Sequence, residues 1–167
     1  MHRRMPMVRT GTLLTALTAF VLGPGGATMP AAGAAEGARC TGELVATLTP
    51  GIGSEPASGV FHSEGEGGTL TCGGRSGTIG EDGRYGTERP VTCSSGGQGW
   101  GVHTIVVDGT TIRNTFTFEF GGISGGLVSG KFAGERYSGT FTFTPSDGDC
   151  VSSPVTKGHV KLDGILR

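Results

Sequence analysis

The chain reads as an all-β protein, an antiparallel meander closed into a small β-barrel, with a β-sandwich as the alternative closure. Three observations predict it. Phenylalanine and threonine alternate in Phe116-Thr117-Phe118-Glu119-Phe120 and in Thr140-Phe141-Thr142-Phe143-Thr144. Side chains along a strand point to opposite faces, so each stretch offers phenylalanines to a core and threonines to water. Glycine-containing turn signals separate the apolar runs, and no window of helical length carries apolar residues three and four apart.

From the N-terminal side, Leu44, Ala46 and Leu48 alternate with Val45 and Thr47 up to Pro50-Gly51, which predicts a first strand. Val60-Phe61-His62 and Thr69-Leu70-Thr71-Cys72 are short strands separated by Gly65-Glu66-Gly67-Gly68. Residues 73–90 hold little apolar material beyond Ile79 and Tyr85 and read as short edge strands or a loop. Ile105-Val106-Val107, Asp108-Gly109 and Thr110-Thr111-Ile112 form the strongest hairpin signal, because Asp-Gly supplies the positive φ angles of a type I′ turn. That loop predicts Val107 opposite Thr110 and Ile105 opposite Ile112. Gly121-Gly122 and Gly125-Gly126 bracket the next reversal, and the run 127–133 turns near Gly134-Glu135. A strand over 137–144 stops at Pro145 and Ser146-Asp147-Gly148-Asp149 turns. Residues 155–166 make the last strand, broken near Gly158 or Asp163-Gly164.

Glycine supplies 34 of 167 residues, a share at which disorder competes with folding. Low net charge, organised apolar residues and four cysteines favour a folded domain. The glycines also lack the every-third-residue period of collagen. Sequential hairpins favour a barrel, which removes sheet edges by closing on itself.

Residues 1–35 read as a secretory signal peptide. Arg3, Arg4 and Arg9 precede an apolar run, 13–22, too short to span a bilayer, and small residues follow up to Ala34-Ala35. Residues 36–167 then form a single secreted domain, extracellular or held at the cell wall without a covalent sorting tail. Without those three arginines, ten basic residues face fourteen acidic ones, a formal charge of about −4. That balance argues against a nucleic-acid partner and against a basic membrane-binding face, and no membrane insertion is expected after cleavage.

Cys40, Cys72, Cys93 and Cys150 all follow the cleavage site and predict two disulfides. No CxxC or paired-histidine spacing suggests zinc, and no motif implies a cofactor. Three pairings are open. Cys72–Cys93 closes the shortest loop and pins the least patterned segment, which would leave Cys40–Cys150.

Four stretches carry a family likeness: Gly42-Glu43-Leu44-Val45-Ala46-Thr47-Leu48-Thr49-Pro50-Gly51, Gly68-Thr69-Leu70-Thr71-Cys72, Gly130-Lys131-Phe132-Ala133-Gly134 and Asp147-Gly148-Asp149-Cys150-Val151. Through these strand-and-turn patterns the chain resembles small secreted actinobacterial proteins of unknown function. The resemblance implies a β-barrel-like fold similar to the allene oxide cyclase barrels. It implies no substrate and no catalytic residue.

His62, Glu64 and Glu66 would share one face of an extended segment, where a histidine beside two carboxylates is suited to acid–base or cation chemistry. A solvated strand end before a glycine-rich turn is the simpler reading. Asp147-Gly148-Asp149 reads as a turn rather than a calcium site, since two acids supply too few oxygens. Trp100 reads as an anchor into the core, with a ligand-stacking platform as the alternative. His103 and His159 read as sheet-surface residues. The function expected is a non-enzymatic extracellular binding module for a protein or small molecule, recognising through loops at 51–59, 73–90 and 94–101. A small-ligand carrier or barrel enzyme, and a structural protein of the cell envelope, are the alternatives.

Overall fold

The computed structural model describes residues 37–65 and 67–167; residues 1–36, where the sequence predicts a signal peptide, and Glu66 lie outside the described residues. Among the described residues nine strands form one antiparallel sheet: β1 (Ala38–Ile52), β2 (Gly59–Ser63), β3 (Gly68–Cys72), β4 (Arg75–Tyr85), β5 (Gly97–Val107), β6 (Thr110–Gly122), β7 (Gly125–Phe132), β8 (Glu135–Asp147) and β9 (Val155–Leu166). Pairing of β9 back onto β1, from Ala38↔Leu166 to Ile52↔Val155, closes the sheet into a barrel. β2 and β3 share one place in the wall. Both lie between β1 and β4, β2 against the upper halves and β3 against the lower. The nine strands therefore fill eight positions, the size at which a barrel interior is just filled by side chains or holds one small ligand.

The alternation that predicts the strands also fills the core. Phe116 and Phe143 point inward and are buried, whereas Thr117, Glu119, Thr140 and Thr142 face solvent. Val107 stands opposite Thr110 and Ile105 opposite Ile112, as the Asp-Gly turn requires. Asp108 and Gly109 have φ of 50° and 73°, the doubly left-handed geometry of that turn.

Composition alone leaves the glycines ambiguous; packing explains them. A Cβ on Gly101 would meet the Phe116 ring at 2.7 Å, and one on Gly164 would meet the Tyr137 ring at 2.6 Å. Rings lie in the same way over Gly99 (Phe118) and Gly158 (Phe143). An eight-stranded barrel has room for this many aromatic rings because the facing wall positions carry no side chain.

Several expectations change. Within 73–90, residues 75–85 form the full strand β4 rather than edge pieces, with Ile79 and Tyr85 buried inside, and only 86–90 belong to a longer connection. Likewise most of 94–101 belongs to β5, so only 86–90 and 94–96 of the two segments are loop. The last strand is unbroken, since Gly158 and Gly164 are seats for rings rather than breaks. β8 continues through Pro145 to Asp147. The disulfides are Cys40–Cys72 and Cys93–Cys150, not the pairing that loop length favours. Closure places Cys40 directly across from Cys72 on neighbouring strands, while Cys93 and Cys150 belong to loops at the opposite end.

The two ends differ. At the lower end two-residue turns, 73–74, 108–109 and 133–134, join the strands. At the upper end lie the connections 53–58, 86–96, 123–124 and 148–154. The segment 86–96 folds inward as a plug. Its Val91 is fully buried with Ile52 and Tyr85 in a cluster separate from the main core. Val91 exchanges backbone hydrogen bonds with Ala57 (2.9 and 2.8 Å), and the Cys93 N–H donates to Gly53 O at 2.9 Å. Cys93–Cys150 ties the plug to the loop 148–154.

Candidate functional site

The wall is irregular where β2 gives way to β3. Gly68 pairs with Ile79 and His62 with Asp82, so five residues of one wall position oppose two of β4. The mismatch is a bulge in the wall and leaves Gly80 and Glu81 without a strand partner there. Ser63 fills part of the gap, its Oγ accepting from the Glu81 N–H at 2.9 Å. Bulges of this kind are frequent beside binding sites because they re-aim a side chain.

Directly behind the bulge three polar side chains share one row inside the barrel. Register places Glu81 opposite His103 and His103 opposite Asn114, on β4, β5 and β6. Glu81 and His103 are each only 5 % exposed. Glu81 Oε1 lies 3.0 Å from His103 Nδ1, an ion-pair distance. The approach is off the hydrogen-bonding directions, however, and both atoms lack a hydrogen-bond partner, as does Asn114 Nδ2. The pair therefore offers charge attraction, when the imidazole is protonated, without hydrogen-bond satisfaction. Buried polar atoms left in this state are uncommon and call for a reason. The His103 ring stacks on Phe116, with centroids 3.9 Å apart and planes 15° from parallel, which fixes its orientation.

Above this row is a cavity of about 80 Å³. Its lining is aromatic and aliphatic: Phe61 from β2, Phe116, Phe118 and Phe120 from β6, Phe141 and Phe143 from β8, with Leu48, Ile52 and Val160 among the aliphatic residues. Glu81 is the one acid or base in the lining apart from Tyr85. The Tyr85 hydroxyl is already used, donating to Pro50 O. Below the row the interior is nearly solid, with a void of about 20 Å³ between His103, Tyr137 and the Cys40–Cys72 bridge. Burial pushes the tyrosines up, Tyr85 to about 12 and Tyr137 to about 12, the latter also through the negative charges of Glu81 and Asp163.

Of the sequence-predicted cluster, Glu66 lies outside the described residues, and His62 and Glu64 each have a partner of their own. His62 is on the outer face with its ring within 2.8 Å of Thr47 Oγ1, and Glu64 is paired with Lys157 at 2.6 Å. Trp100 is not a core anchor: it points outward, 46 % exposed, beside Thr117 and Ser129 on the barrel surface. His159 is exposed as expected, but His103 is inside. Asp149 closes its turn, accepting from the backbone N–H groups of Val151, Ser152 and Ser153 and from the Ser152 hydroxyl, which hold its carboxyl well below the usual range. Asp147 accepts from Thr156 Oγ1 at 2.6 Å.

No protein-family model matches the chain, and no match was found among curated proteins or among solved structures. Function has to be read from the barrel itself.

Proposed function

We propose that the protein is an exported, non-enzymatic binding module that carries a small, mostly apolar molecule inside its barrel. The cavity lined by six phenylalanines carries this reading. A solid interior would have left only the outer surface for recognition, whereas this one is open above mid-height and packed below. Burial of apolar ligand surface there contributes about 25 cal/mol per Å². The volume suits a ligand more compact than benzene, which an engineered cavity of about 150 Å³ binds. Export is supported by the signal-like N-terminal sequence and by the two disulfides, which persist in oxidising compartments.

Xenon pressurisation of crystals, with a thermal-shift series of small hydrocarbons, tests the proposal. Xenon is expected in the cavity lined by Phe61, Phe118 and Phe141, and the smallest hydrocarbons are expected to raise Tm by mass action. Trp100→Ala, on the outer face, leaves both results unchanged. An interior that admits no xenon, with no Tm shift from any hydrocarbon, would overturn the reading.

A further inference from the structure

The geometry points to a small organic ammonium as the ligand of the cavity, its cationic head placed between the Glu81 carboxylate and the phenylalanine rings. This inference rests on the binding role proposed above and adds the charge of what is bound.

Glu81 carries the argument. Its side chain is more than nine-tenths buried and lines the cavity, with Oε1 turned to His103 without a hydrogen bond and no hydrogen bond to Oε2. A buried carboxylate is retained in an apolar setting only if something compensates it. His103 approaches from beyond the cavity lining and reaches Oε1 without a hydrogen bond. The cavity side of the carboxylate is left for a ligand.

The walls select the kind of ligand. Aromatic faces carry negative potential and attract cations, most strongly when these are desolvated. Phe118 meets Phe61 at 81° and Phe141 at 86°, so the rings around it lie in crossed planes that can present both faces and edges. Among the described residues no lysine, arginine or histidine lines the cavity to receive an anion. A neutral apolar molecule would fit the walls but leave the carboxylate unanswered. A compact alkylammonium meets both, and the volume of about 80 Å³ favours a methylated head over an aryl one.

Calorimetric titration of the whole folded protein with tetramethylammonium, tert-butanol and pivalate tests the inference at constant ionic strength. These probes share a branched shape and differ in charge. Tetramethylammonium is expected to bind at least roughly tenfold tighter than tert-butanol, with no detectable pivalate binding, and Glu81→Gln is expected to abolish the preference while the melting curve shows the variant folded. Equal binding of the cation and the alcohol, or a preference that survives Glu81→Gln, would overturn the ammonium assignment and leave the barrel a carrier of neutral molecules. If neither binds and xenon also stays out, the carrier reading falls and the ammonium assignment with it.

Discussion

The lower end of the barrel is closed by turns such as Gly73-Gly74 and Asp108-Gly109, whereas the upper end is spanned by 53–58, 86–96 and 148–154. Each end has one disulfide, but the bridges do different work. Cys40–Cys72 joins residues already opposite each other on paired strands. Cys93–Cys150 joins two loops and holds the plug. The same strands thus pass from a packed, stapled base to a cavity with a built lid. The difference separates the part that makes the fold stable from the part that is free to bind.

Removing each bridge in turn is the strongest way to break this comparison. The closed segments, with sequence separations of 32 and 57, correspond to about 4 kcal/mol each in the chain-entropy account. Cys40→Ala with Cys72→Ala and Cys93→Ala with Cys150→Ala are therefore expected to lose comparable stability in denaturant titrations. Hydrogen exchange should tell them apart. Loss of the upper bridge is expected to expose the amides of 86–96 selectively, while loss of the lower one weakens the barrel without opening the plug. Protection of 86–96 that survives loss of Cys93–Cys150 would show that Val91 and its backbone bonds hold the lid alone.

A second test concerns the boundary between the halves. Replacing a buried ion pair by apolar residues of similar size is often neutral or stabilising, by up to about 4 kcal/mol, whereas removing one partner alone costs about 3–5 kcal/mol. Glu81→Leu with His103→Phe is expected to raise Tm and remove ammonium binding. His103→Phe alone is expected to lower Tm, because it removes the one polar neighbour that His103 gives the Glu81 carboxylate. A double variant less stable than either single one would mean that the polar row holds the barrel together rather than serving a ligand.

The sequence showed the fold more clearly than the site, for a physical reason. Phenylalanine–threonine alternation and Asp108-Gly109 are local signals, and they predict β5 to β8 closely. The inward phase of Glu81 and His103 was also present in the sequence, since Glu81 keeps step with Ile79 and Tyr85, and His103 with Ile105. A polar residue on an inward phase resembles a surface residue until rings from other strands bury it. Trp100 shows the converse: counting back from Ile105 puts it outside, against the usual preference of a lone tryptophan for the core. The disulfides depend on closure of the barrel and on β2 and β3 sharing a place in its wall, which no loop length reveals.

The smallest expected effect is also the most local. The chain has 2 tyrosines, and one sits in each half: Tyr85 under the plug, Tyr137 near the base. Both are raised to about 12, whereas in the unfolded chain they ionise near about 10. Between those values the unfolded state has released protons that the folded state keeps, so stability is full below about pH 10 and falls as pH rises towards 12. Tyrosinate absorbance should stay flat through pH 10 in the folded protein and rise there once denaturant is added. Burial is the main cause for both, but Tyr137 also feels Glu81. Glu81→Leu with His103→Phe is therefore expected to lower the Tyr137 titration slightly and leave Tyr85 in place. A shift of both tyrosines, or of Tyr85 alone, would mean that the polar row is coupled to the lid and that the two halves are not independent.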